Sequence, residues 1–286
     1  MGSDEAFDKA IDAMDKTTAL AIAANEYLHR QHLDDGDDPI EIDDDGWMHG
    51  NLVDVVKTHR HSALMRGIDH VVGAAWHFTD TRSAGALALA LRIARPNGPA
   101  RSCHAWIDAQ RRVVQSVSFR RGSWHAGSNT AKRFLRTGNH RAPYQLADRG
   151  GTIAANDLIA GIEIENAGEL RLIKSRDGRT MVFASWPYRW DYVPRGAARP
   201  ELPIVIPDDE VEDVDGKFWH RYTFEHTHAA ERVARALVER YDIPRYMMEI
   251  GHQTIDPSRR TDPGPLWIGP GGLLTLILDR IYGTKG

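Results

Sequence analysis

A mixed α/β domain, with a central β-sheet flanked by helices and an N-terminal helical extension, is the fold class this sequence predicts. Three observations carry it. Short apolar runs of strand length, Val71 to Phe78, His104 to Asp108 and Arg112 to Ser118, are interleaved with stretches of helical composition. The segment Ala160-Gly161-Ile162-Glu163-Ile164-Glu165 alternates with period two, isoleucines on one face and carboxylates on the other. Near the C-terminus, two segments repeat apolar residues at helical spacing.

Taken in order, Phe7, Ile11, Met14, Ala21 and Leu28 predict an amphipathic helix whose N-terminus is favoured by Asp4 and Glu5. Between Asp34 and Asp45 eight of twelve residues are acidic, interrupted by Gly36 and Pro39, which reads as a solvated linker. A calcium loop starting at Glu41 fails, because its twelfth position is Leu52, where a bidentate carboxylate is required. Residues 1–45 therefore read as a helix and acidic linker, and 46–286 as the main domain. Within that domain, Val71 to Phe78 is a strand and Ser83 to Arg95 a helix ending at Pro96-Asn97-Gly98. His104 to Asp108 and Arg112 to Ser118 flank Ala109-Gln110-Arg111 as a hairpin. Residues 169–217 are rich in Pro, Gly and aromatics without a clear period, and are expected to be an elaborated loop or small insertion. Ala230, Val233, Ala234, Leu237, Val238 and Tyr241 mark a helix stopped before Pro244. Leu273, Leu274, Ile277, Leu278 and Ile281 mark the last one, with Gly283 as its stop.

Composition excludes several function classes. A formal net charge of -4 over 286 residues offers no basic face for nucleic acid. One cysteine, Cys103, excludes an internal disulfide framework and an all-cysteine zinc site. The start Met1-Gly2-Ser3-Asp4-Glu5 is acidic where a secretory signal is basic, and the best apolar run, Ala84 to Ala94, is short and contains Arg92. The expectation is a soluble protein, cytoplasmic as synthesised, that would act outside the cytoplasm only through lysis or a dedicated export route. No protein partner is evident.

The stretch Gly251 to Pro265 places His252 and Asp262 ten residues apart around a loop stiffened by Pro257, Pro263 and Pro265. An imidazole and a carboxylate held in a rigid loop suit one metal ion, and equally suit a turn with an incidental histidine. A catalytic zinc needs about three protein ligands. His77, near the end of its strand, is the best third candidate, set against a structural histidine held by one hydrogen bond.

Trp76-His77-Phe78-Thr79, Ser102-Cys103-His104-Ala105-Trp106-Ile107-Asp108, Ser123-Trp124-His125-Ala126-Gly127, Gly161-Ile162-Glu163-Ile164-Glu165, and Gly251-His252 through Asp262-Pro263-Gly264-Pro265 occur in that order. Together they resemble the zinc N-acetylmuramoyl-L-alanine amidases, which include phage lysozyme-type amidases, cell-wall-recycling amidases and peptidoglycan recognition proteins. The resemblance covers roughly 46–281. It implies an amidase-like fold, Zn2+ on His77, His252 and Asp262, and peptidoglycan or muropeptide as substrate. It also implies that Glu163 is the catalytic carboxylate, although alternation alone puts Glu165 on the same face. Arg260 stands where the family commonly has lysine, as the cation for the oxyanion; a guanidinium stays protonated and cannot shuttle a proton. His104, Trp124 and His125 are expected to line the cleft as substrate-binding residues.

Cys103 beside His104 suggests a thiol nucleophile, but neighbours on a strand point to opposite faces and cannot pair. The His-x-His pairs His59/His61 and His226/His228 are read as solvated rather than as a second metal site. Two other functions stay open: a recognition module that binds peptidoglycan without cutting, and a zinc peptidase acting within the stem peptide. Between an endolysin and a recycling enzyme the residues do not choose.

Overall fold

Period-two alternation builds the centre of the molecule. The computed structural model describes residues 39–59, 61–64, 70–79, 85–94, 101–126, 155–174, 181–185, 204–255, 260–269 and 271–283. The expected N-terminal helix lies outside these residues. In chain order the strands and helices are β1 (Glu41–Ile42), β2 (Met48–His49), β3 (Val53–Val55), β4 (His61–Leu64), β5 (Ala74–Phe78), α1 (Ala86–Ala94), β6 (Ala105–Ile107), β7 (Val113–Gln115) and β8 (Arg121–Ser123). Then come α2 (Ala155–Leu158), β9 (Ala160–Ile164), β10 (Glu169–Lys174), β11 (Met181–Ser185), β12 (Ile204–Ile206), β13 (Val211–Val214) and β14 (Lys217–His220). The chain closes with α3 (Phe224–Tyr241), α4 (Arg245–Met248), β15 (Ile250–Gly251), α5 (His252–Ile255) and α6 (Leu273–Tyr282).

The main sheet has the order β15-β5-β9-β6-β7-β3. It is mixed: β15, β5, β9 and β6 run parallel, whereas β6 and β7 form the expected antiparallel hairpin. One face carries Trp76, Ala105, Ile107, Val113, Ile162 and Ile164, which pack in the main core with Val233 and Leu237 of α3 and Leu274, Ile277 and Leu278 of α6. Each such Val, Leu or Ile contributes about 1.5–3 kcal/mol when fully buried, so this face dominates stability. The other face carries Trp106 and Val114 under α1, whose Ala86, Ala90 and Ile93 cover them. Register then places Trp106 beside Glu163 and Glu163 beside His77. The second face thus passes from an apolar cluster to a polar row.

Helix α3 begins at a capping box: the Thr223 side chain accepts from the His226 backbone N–H, and the His226 ring accepts from the Thr223 N–H. It ends at Asp242 in the left-handed region (φ 52°) just before Pro244. Among the described residues no helix is long and apolar enough to cross a membrane.

Two stretches differ from the sequence expectation. The end of the acidic linker is a small hairpin: β1 pairs with β2, Ile40 and Ile42 are buried, and the Asp43 carboxylate accepts from the Trp47 N–H at 2.8 Å. Turn-forming acids exposed around two buried isoleucines read as linker when only charge is counted. Residues 169–217, expected to be an elaborated loop or small insertion, supply most of an antiparallel sheet of order β12-β11-β10-β14-β13. Its strands are short, and among the described residues Ala167, Leu170, Ile206 and Val211 form its buried cluster, with Phe218 against them. Asn166 ties this sheet to the end of β9 by donating to the carbonyls of His220 and Arg221, both at 3.1 Å.

Candidate metal centre

Three elements bring the polar row together. His77 sits one residue from the end of β5, and its register partner on the parallel strand β9 is Glu163. On the other side, Gly251 pairs with Trp76, so the next residue of each strand, His252 and His77, are neighbours with ring centroids 4.6 Å apart. The loop that follows folds back: the Gln253 N–H donates to the Asp262 carbonyl at 2.9 Å. Glycine at 251 permits this approach, because a Cβ there would lie 2.7 Å from Pro263 Cδ. The Asp262-Pro263 peptide is cis. Tyr222 clamps the loop from outside, donating to the Pro263 carbonyl at 2.8 Å and packing on Trp267 at 4.7 Å. Trp219 of β14 fits against Gly264, where a Cβ would meet its ring at 2.7 Å.

The outcome is a triangle. His77 Nδ1, His252 Nδ1 and Asp262 Oδ2 are 3.0 Å apart on every side. The three residues are buried, at 2%, 5% and 7% exposure. Burial pushes the His77 imidazole down to about 4, with Asp262 opposing the shift. Burial alone would raise Asp262, but the His252 and His77 rings beside it hold its carboxyl well below the usual carboxylate range. Neutral imidazole and ionised carboxylate are the protonation states that a metal requires of its ligands. Bonds of about 2.0–2.1 Å to a tetrahedral zinc imply ligand atoms roughly 3.3 Å apart, close to what the triangle offers. The donor set fits such an ion, and His77, His252 and Asp262 are the group among the described residues that could hold one.

The two carboxylates of the Gly161–Glu165 motif part company. Glu163 is half-buried in the polar row, and its charge acts together with that of Asp262 on the phenol of Tyr222. Tyr222 is pushed well above its ordinary range, by burial first and then by these two carboxylates. Glu165 lies past the strand end, 1% exposed, and accepts from the Gly85 N–H at 2.8 Å and the Ala109 N–H at 3.4 Å. It caps the start of α1 and belongs to the scaffold. Arg260 is half-buried two residues before Asp262, and its charge is felt at His77.

Several expectations are corrected. His104 does not line a cleft: it is fully buried and stacks on Phe119 at 5.4 Å. Its Nε2 donates to the Arg121 carbonyl at 2.8 Å, and its Nδ1 accepts from the Gly161 N–H at 3.1 Å with Ser123 Oγ 2.8 Å away. Burial pushes it down to about 4, so it is a neutral brace between β6, β8 and β9. His125 is half-buried with its ring nitrogens on protein partners, His77 Nε2 at 3.0 Å and the Ile159 carbonyl at 3.2 Å. Trp124 alone of the three expected substrate-binding residues is exposed. His226, read as solvated, is 2% exposed in the capping box of α3. Cys103 is buried against α1 while His104 points into the main core, so the two do not pair; its thiol donates to the Ala105 carbonyl and is pushed up by burial. The part played by Tyr222 carried no local signal, since it depends on a contact with Pro263, 41 residues away.

Comparison with known proteins adds a family match. The model of the N-acetylmuramoyl-L-alanine amidase family matches residues 68–265. No curated protein matches the sequence. Among solved structures, the chain is similar to an AmpD derivative at 21% identity, covering 78% of this chain and 92% of that one with a TM-score of 0.43. It is similar to AmiD from E. coli, in complex with anhydro-N-acetylmuramic acid-L-Ala-D-gamma-Glu-L-Lys, at 19% identity, covering 80% and 62% with a TM-score of 0.40. Staphylococcus aureus AmiA in complex with its ligand is similar at 11% identity, covering 80% and 83% with a TM-score of 0.44.

Proposed function

The chain belongs to the N-acetylmuramoyl-L-alanine amidase family, and from that premise we propose that it uses zinc to hydrolyse the amide joining N-acetylmuramic acid to L-alanine in peptidoglycan or its soluble fragments. The observation that carries this reading is the 3.0 Å triangle of His77, His252 and Asp262 with Glu163 in register beside His77. Those three side chains would hold the ion. When bound, zinc supplies a Lewis acid that polarises the scissile carbonyl and lowers the pKa of water from about 15.7 towards ~7.

The remaining steps belong to the chain. Glu163 takes the proton of the attacking water and delivers it to the leaving alanine nitrogen. Arg260 offers paired N–H donors to the developing oxyanion, worth about 10²–10³ in rate for a well-placed donor. Because a guanidinium does not give up its proton, both transfers fall to Glu163. Trp124, the residue before His125, is exposed, and its ring is available for a sugar or peptide to lie against.

The test is mass spectrometry of products from purified peptidoglycan, with zinc content measured on the same sample and activity followed through chelation and zinc return. Stem peptides beginning with a free alanine amine are expected, lost on chelation and restored by zinc. Cleavage only between amino acids would replace the amidase with a zinc peptidase. Tight binding without turnover or zinc would make the protein a recognition module. Intact sacculi against soluble muropeptides then separate an endolysin from a recycling enzyme.

A further inference from the structure

His125 contacts the metal triad without offering an atom to it. Its Nε2 lies 3.2 Å from the carbonyl oxygen of Ile159, which can only accept, so Nε2 carries the proton. In a neutral ring Nδ1 is then an acceptor, and it faces His77 Nε2 at 3.0 Å. His77 must therefore donate from Nε2. Its other nitrogen, Nδ1, is left with a bare lone pair, and that is the atom 3.0 Å from both His252 Nδ1 and Asp262 Oδ2.

His125 is held from three directions. Asn156 Oδ1 accepts from the backbone N–H groups of His125 at 3.1 Å and Ala126 at 2.7 Å. Ile159 fixes Nε2, as above. Gly161 clears the space: a Cβ there would stand 2.5 Å from His125 Cγ, so any side chain would displace the ring. A surface residue awaiting substrate has no need of such a mount.

We propose that His125 is a positioning residue that sets the tautomer of His77, through the relay from the Ile159 carbonyl to His125 to His77, so that Nδ1 is the atom presented to the metal. The inference rests on the zinc reading of the triad. Outer hydrogen-bond partners of metal-bound histidines typically account for about 10–100-fold in metal affinity.

The experiment measures zinc affinity by chelator competition for wild type, His125→Leu and His125→Asn, each checked for native circular dichroism and thermal unfolding. Asparagine keeps an acceptor oxygen near the position of Nδ1; leucine keeps bulk and loses the acceptor. Zinc affinity should fall about 10–100-fold in H125L and stay within roughly threefold of wild type in H125N. In zinc-loaded wild type, 15N NMR of the histidine rings should show the proton of His77 on Nε2. Equal affinity of folded H125L and wild type, or a His77 proton on Nδ1, overturns the proposal. The NMR result decides alone if H125L does not fold. Wild-type protein that takes up no zinc overturns the metal reading itself, and the relay with it.

Discussion

The same substitution made at two carboxylates two residues apart should have opposite consequences. Glu165→Gln keeps the shape of a buried group that accepts from the Gly85 N–H at 2.8 Å and from the Ala109 N–H at 3.4 Å. A hydrogen bond to a charged acceptor contributes about 1.5–3 kcal/mol, and a neutral amide oxygen recovers roughly half. The amide nitrogen of the new side chain then faces the Ala109 N–H, donor against donor. The 3.4 Å contact is weak, so this adds only about 1 kcal/mol. The sum, about 2 kcal/mol, lowers the melting temperature by roughly 4–8 °C at the ~2–4 °C per kcal/mol typical of larger domains. Below that temperature E165Q should turn over within about tenfold of wild type. Glu163→Gln touches a half-buried group in the polar row, so its stability should shift by no more than about 0.5 kcal/mol. Its turnover should fall by about 10²–10⁴, the usual share of a general base. Differential scanning calorimetry and product release from peptidoglycan, run on zinc-loaded samples of both variants, give the four values. E165Q unfolding at the wild-type temperature, or E163Q active while E165Q is dead, would refute the division of labour drawn between them.

Arg260→Lys should keep substantial activity and Arg260→Ala should lose about 10²–10³ in turnover, since the role proposed for the position is a cation near the oxyanion; unchanged turnover in R260A removes the arginine from the mechanism. Acid should weaken the fold through two buried imidazoles, His104 pushed down to about 4 by burial, and His226 to about 3 by burial and the charge of His220. Unfolded, each takes up a proton near 6.5, so below that pH the unfolded state binds protons the folded state refuses, and stability is lost progressively as pH falls towards 4. At about 1.4 kcal/mol per unit, each histidine costs ~2–3 kcal/mol between pH 6.5 and 4.5, a fall that urea titrations at the two pH values will read; equal stability at both would show that these rings are not held neutral. Cys103→Ser should remain active, and the native thiol should resist alkylation, because the group is buried and donates to the Ala105 carbonyl; loss of turnover in a folded C103S, with zinc retained, would reopen a thiol mechanism.

What could be read from sequence followed the range of the interactions involved. The strands β5 and β9 and the helices α3 and α6 are legible because each buries one face, and burial imposes a local period. The grouping of His77, His252 and Asp262 was proposed from motif order and residue type, and the structure brings the three side chains together. Local reasoning stopped where a side chain's fate depends on a distant partner. Alternation puts Glu163 and Glu165 on one face, yet the strand ends at Ile164 and Glu165 turns to the N–H groups of Gly85 and Ala109, which no neighbour of it announces. His104 and His125 carry the same motif signal as surface ligands, but the pairing of β6 with β9 buries one and Asn156 sets the backbone of the other.

The polar row itself is such a long-range product. It needs β15, β5 and β9 in one parallel register, with Gly251 beside Trp76 and His77 beside Glu163. A slip of one residue in β9 would carry Glu163 into the main core and Ile162 or Ile164 to the side of His77, because side chains alternate with period two. Burying that carboxylate among Trp76 and Leu237 without a partner costs several kcal/mol, and exposing an isoleucine forfeits about 1.5–3 more. The apolar alternation that stabilises the core therefore also fixes the register that places Glu163 beside His77.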